Sequence, residues 1–166
     1  KQLFYVTDEA SSRMNLVRQV SAFLRNGGAV LTYPAGHIEP DPDLYTDAAD
    51  SLEKWTDSVG VFLRMSPETP ILPILVRGVI WKKAITHPLT RIRKARLDRE
   101  ALAAAFQVFM MMRGKIKDMH IRVQIGNPIY TKQLGTSETT IIHQAVLAEM
   151  KRLIQNPPTD HGKSIL

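Results

Sequence analysis

Residues Ala29-Val30-Leu31-Thr32-Tyr33 form a near-continuous apolar run, opened by Asn26-Gly27-Gly28 and closed by Pro34. A strand of this composition is buried on both faces, so helices must cover both sides of its sheet. The rest of the chain alternates to match. Leu3 to Thr7 is β-branched and aromatic and reads as a short strand. Ser11 or Ser12 can cap a helix whose apolar face is Leu16, Val17, Val20, Phe23 and Leu24. After the loop Pro34 to Pro42 come a helix from about Leu44 to Met65 and a strand from Ile71 to Val76. Pro73 confines that strand to an edge or a bulge. The next segment predicts a short helix and a loop around Pro88. A helix capped by Asp98 then runs from Arg99 to about Arg113, with Leu102, Ala105, Phe106, Phe109 and Met110 as its stripe. His120 to Gly126 alternates as a strand, and Thr136 or Ser137 opens a last helix to about Gln155. This order predicts an α/β fold, a largely parallel central sheet flanked by helices. Residues 1–155 read as a single domain and 156–166 as a poorly ordered tail. Met110-Met111-Met112 reads as core filling in preference to an acyl-contact surface.

The net charge of +6 is concentrated in one place. From Arg77 to Arg99 stand eight basic residues against Asp98 alone, while Glu39 to Asp57 is acidic apart from Lys54. The two stretches are either solvated faces or, for the basic one, a surface for an anionic partner. Trp81, Lys82, Lys83, Arg91, Arg93, Lys94 and Arg96 are the candidate membrane- or anion-facing residues. Indole beside lysine suits the headgroup depth of a bilayer. Trp81 is the only aromatic in the stretch and no nucleic-acid motif is present, so nucleic acid is not an expected partner. There are no cysteines, which removes disulfides and thiol nucleophiles and fits a reducing compartment. No apolar run approaches the roughly 18 residues of a membrane span. No His, Asp and Glu spacing resembles a metal site. Lys1 is not an initiator Met, and the chain reads as a piece of something longer.

The stretch Gly27 to Pro42, GGAVLTYPAGHIEPDP, runs a buried strand directly into Pro34-Ala35-Gly36-His37. Pro and Gly there either serve turn geometry alone or let backbone N–H groups approach a phosphate or carboxylate, with His37 adding a donor. This stretch resembles the third conserved block of the glycerol-phosphate and lysophosphatidate acyltransferase family, a strand ending in F-P-E-G-T-R. Thr69 to Val79, TPILPILVRGV, resembles the fourth block, with its central V-P-V or L-P-V. His120 to Ile129, HIRVQIGNPI, is similar to the late strand v-x-v-x-x-G-x-P-I. The resemblance covers Leu3 to about Leu153.

The resemblance implies transfer of a fatty acyl group from acyl-CoA or acyl carrier protein to a hydroxyl of glycerol 3-phosphate or a lysophospholipid, in phospholipid biosynthesis. It implies no cofactor beyond the acyl thioester co-substrate. Tyr33, Pro34, Ala35, Gly36 and His37 would hold the acceptor phosphate, and Leu72, Pro73 and Ile74 would line the pocket. The protein would work in the cytoplasm, peripherally bound to an anionic membrane. The chain departs from the pattern at three places. The general-base motif H-x-x-x-x-D is absent, so no catalytic residue is assigned and the chain alone is expected to be inactive, its catalytic segment lying upstream. Such a missing segment would leave part of the sheet or a helix face uncovered. Ala35 replaces the family's Glu and His37-Ile38 its Thr-Arg pair, with Glu39 a candidate substitute. Asp8 and Glu9 stand where the second block usually offers Arg. The alternative is a non-catalytic module of the same fold that binds lipid headgroups or acyl thioesters.

Overall fold

The computed structural model describes residues 10–116 and 119–158. The expected strand Leu3 to Thr7 and residues 159–166 of the expected tail lie outside them. Helix α1 (Ala10–Arg25) is followed by the loop carrying Pro34 to Pro42 and a 3₁₀ segment (Ala48–Lys54). Then come α2 (Ser58–Met65), β1 (Ile74–Arg77), α3 (Lys82–Ile85), α4 (Pro88–Arg91) and α5 (Arg96–Met112). The chain ends with β2 (Arg122–Ile125), α6 (Thr131–Leu134) and α7 (Thr139–Gln155).

The largely parallel central sheet is not what forms. The described residues are mostly helical, and their sheet is one ribbon in which β1 and β2 pair antiparallel. Ala29 to Tyr33 stays outside it, with Leu31 72% and Tyr33 77% exposed. A strand buried on both faces needs a neighbour on each edge. Among the described residues no strand supplies one, and none of Ala29 to Thr32 makes a backbone hydrogen bond to another described residue.

The expected helix Leu44 to Met65 is divided. Trp55 leaves helical geometry at φ −69°, ψ 137°. Thr56 N–H then donates to the Pro34 carbonyl at 3.3 Å, and the Trp55 indole donates to Glu39 at 2.6 Å. Contacts with the loop outcompete local helix propensity there. The Met run is also corrected. Met111 and Met112 are 54% and 84% exposed, because α5 turns Glu100, Ala103 and Gln107 inward and leaves Leu102 and Phe109 at the surface.

The core has two centres. Ile142, Val146, Met150 and Leu153 form one stripe of α7 at helical spacing. Val146, Met150 and Leu153 pack with Leu52 against Leu75, Ile71 and Ile129. The second centre joins Ala84, Ile85 and Ala103, with Ile80, Trp81 and Phe106 around them. The outer face of the ribbon is uncovered. Ile74 lies opposite Ile125 and Val76 opposite Val123, and all four are between 43% and 64% exposed.

Pro73 shapes the ribbon's far end. Ile71 bridges Ile129 while Ile74 pairs with Ile125, so the second strand carries one extra residue and bulges. The Pro73 carbonyl accepts from Gly126 N–H at 2.8 Å, and proline itself has no donor to lose. Glu149 of α7 closes the bulge. Its carboxylate accepts from Asn127 N–H at 2.6 Å and from Arg152 at 2.7 and 2.8 Å. The Arg152 hydrogen bonds hold the Glu149 pKa below its usual range, against the opposing effect of its burial. A depressed carboxylate pKa adds stability above the unfolded-state value and loses it as pH falls through the folded one. Glu149→Gln should therefore destabilise the protein at neutral pH, and the gap from wild type should close on acidification. Urea unfolding at several pH values checks this; a gap that widens toward acid would contradict it.

Candidate functional site

Tyr33 to Gly36 is a β-turn closed by Gly36 N–H donating to the Tyr33 carbonyl at 3.1 Å. Pro34 presets the second position, and Gly36 takes the left-handed φ of +66°. His37 Nδ1 lies 2.7 Å from the Ala35 carbonyl. Only a protonated nitrogen can make that contact, so Nδ1 donates and Nε2 is left to face outward. The N–H groups of Ala35, His37 and Ile38 have no partner among the described residues. Tyr33, Gly36, His37 and Ile38 are exposed. The turn thus offers backbone donors and one imidazole edge to solvent, which suits a phosphate or a hydroxyl.

The acidic residues that follow fasten the turn to the ribbon. Asp41 Oδ1 accepts from Asp43 N–H, and its Oδ2 accepts from Val79 N–H, each at 2.9 Å. Asp43 pairs with Arg122 at 2.8 Å and with Arg77 at 3.6 Å. Arg77 is 2% exposed and donates to the Ile154 carbonyl at 3.0 Å. Glu39, the candidate substitute for the family's Glu, points into the fold: one of its oxygens accepts from Trp55 Nε1 at 2.6 Å and Ser51 Oγ at 3.0 Å. It supports the loop and does not face a ligand.

The three segments that carry the family resemblance meet here. Thr69 to Val79 and His120 to Ile129 form the two sides of the ribbon, and Tyr33 to Asp43 docks on the end of β1 and the start of β2. The pocket strand is less enclosed than a pocket requires. Pro73 is buried, but Leu72 is 49% and Ile74 43% exposed. A cleft of about 500 Å³ lies elsewhere, between Leu24 to Gly28 and Ser66 to Pro70.

The basic stretch divides into two kinds of residue. Lys82, Lys83, Arg91, Arg93 and Lys94 are exposed. Trp81 is half-buried, with its backbone N–H donating to Gln107 Oε1 and Lys83 Nζ 5.6 Å from its ring. Arg96 is engaged: it pairs with Glu100 at 2.9 Å, lies over the Tyr45 ring, and donates to the Ile38 carbonyl at 3.0 Å. Burial raises the Tyr45 phenol above its ordinary pKa. Two groups escaped the reading of the sequence. Leu89 and Ile92 are 57% and 73% exposed among the cations. Arg77 belongs to the basic stretch in sequence but not to its surface, because Leu75 and Arg77 share the inward phase of the strand.

Among the described residues no helix is long and apolar enough to cross a membrane. The chain matches no family model, no curated protein and no solved structure.

Proposed function

We propose that this chain carries the acceptor side of a glycerolipid acyltransferase, which moves a fatty acyl group from acyl-CoA or acyl carrier protein to a hydroxyl of a phosphate-bearing glycerol or lysolipid. The supporting observation is that the three motif-bearing segments, up to about 90 residues apart in sequence, are joined through Asp41 and Asp43, four and six residues after His37. In this reading the exposed N–H groups of the turn and His37 Nε2 receive the acceptor phosphate. A hydrogen bond between the His37 ring and that phosphate is charge-assisted by the phosphate itself and contributes about 1.5–3 kcal/mol. The general base that takes the hydroxyl proton is supplied from outside this sequence, which has no H-x-x-x-x-D. The exposed cations from Lys82 to Lys94 hold the protein against an anionic cytoplasmic leaflet, each adding roughly 1 kcal/mol.

A second reading, a non-catalytic module for lipid headgroups or acyl thioesters, draws support from the absent base motif and from the commitment of Glu39 to Trp55. Two measurements separate the readings. Glycerol 3-phosphate or lysophosphatidate titrated into the chain should shift the His37 ring resonances, and His37→Ala should weaken binding about tenfold, in line with the energy of a charge-assisted bond. Unchanged affinity in that variant would remove the turn from the acceptor site. Thiol release from acyl-CoA should then appear with the product of the whole coding sequence and be absent with this chain alone. Acceptor binding without thiol release by the whole product selects the binding module.

A further inference from the structure

Between Lys82 and Leu97 there is no acidic residue, and the surface there alternates cations with bare aliphatic side chains. The fold places them deliberately. Pro88 opens α4, and His87 caps it by accepting from Leu89 N–H at 3.3 Å. Thr90, buried, anchors the turn through its hydroxyl to the carbonyls at the end of α3. With Thr90 held inward, Leu89 and Arg91 are turned out, and Ile92 follows in the open at 73% exposure. Nothing among the described residues covers Leu89 or Ile92.

We infer that Leu89 and Ile92 are a wedge that enters the acyl-chain boundary of an anionic bilayer, ringed at headgroup depth by Lys82, Lys83, Arg91, Arg93 and Lys94. The inference rests on the proposed peripheral membrane role and adds insertion to it. Charge complementarity selects the occupant. Lysine-rich surfaces are depleted from protein interfaces, whereas mixed aliphatic and cationic surfaces suit lipid, because the long cationic stems can lie along apolar surface with their heads in the phosphate layer. The geometry also gives the wedge a purpose. Arg96, two residues beyond Lys94, donates to the Ile38 carbonyl. Seating the wedge therefore seats Ile38 and the adjoining His37 turn beside the membrane, where a lysolipid acceptor resides.

The chain has no cysteine, so Ile92→Cys gives a single attachment point for an environment-sensitive NBD label. Gln144→Cys, at an exposed position of α7, is the control. The vesicles are phosphatidylglycerol with phosphatidylcholine, and co-sedimentation is read in parallel. The expected result is a several-fold rise in emission at position 92, quenched by lipids carrying a nitroxide high on the acyl chain, with position 144 silent. The double change Leu89→Ser with Ile92→Ser should lower vesicle partitioning at least tenfold, since partial burial of each aliphatic side chain is lost. Co-sedimentation with a silent label at 92 would overturn insertion and leave charge-driven adsorption standing. No co-sedimentation at low salt would overturn the peripheral role, and the wedge with it.

Discussion

Asp43→Ala should lower the unfolding free energy by about 3 kcal/mol, the lower end of the range for removing one partner of a buried ion pair. Asp43 is the acid shared by Arg77 and Arg122, and its own side chain is 25% exposed, which moderates the effect. Arg77 cannot compensate. At 2% exposure it would keep the Ile154 carbonyl as a partner and would face Arg122 with no counter-charge. The reverse change is milder. Arg77→Met leaves Asp43 paired with Arg122 at 2.8 Å and partly in water, so its expected loss is smaller than that of Asp43→Ala. Urea denaturation of both variants checks the asymmetry, and equal losses would show that the triad does not act as described. The Asp43 variant should also loosen the turn at His37, because Asp43 is one of two acids that hold the loop to the ribbon.

Gly78→Ala is expected to cost about 3 kcal/mol. Gly78 follows β1 with φ +74°, a conformation that penalises any side chain by roughly 1–2 kcal/mol. A Cβ there would lie 2.3 Å from the His120 carbonyl oxygen, which belongs to backbone and cannot swing aside. Gly36→Ala is the matched control. Its φ is +66°, yet a Cβ would meet nothing within 4 Å, so only the conformational part, about 1 kcal/mol, should appear. For a chain of this size each kcal/mol moves the melting temperature by roughly 2–4 °C. Thermal melts of the two variants should differ accordingly, and equal shifts would argue against the close approach at Gly78.

What the sequence made legible was local. The positions of helices α1, α5 and α7 are legible, their observed bounds lying within a few residues of the expected ones, but the inward face of α5 is not: of its expected stripe, Leu102, Ala105 and Phe109 are exposed. β2 is legible in its alternation and β1 in its apolar run, whose Leu75 packs against α7. Pro73 sits where it has no donor to lose, but the bulge beside it is on the facing strand, between Ile125 and Ile129. Partnership was not legible. Nothing in Ala29 to Tyr33 states which strand it would join, and nothing in Ile74 to Arg77 states that its neighbour runs antiparallel. The long helix from Leu44 failed for a tertiary reason, two hydrogen bonds from Trp55 and Thr56 to a loop about 20 residues earlier. At the candidate site the exposed turn was read from Pro, Gly and His. The roles of Glu39, Asp41 and Asp43 were not, because an acidic run has the same pattern whether it is solvated or spent on arginines and amides.

The bond between Trp55 and Glu39 gives the protein an optical handle. The chain contains two tryptophans. One is tied at 2.6 Å to the loop that carries His37, and the other sits beside Lys83 at the edge of the basic surface. With Trp81 replaced by Phe, the remaining indole emission reports on the loop alone; with Trp55 replaced, it reports on the basic edge. Ligand at the turn and lipid at the wedge would therefore register as separate changes in wavelength and lifetime, without any added dye.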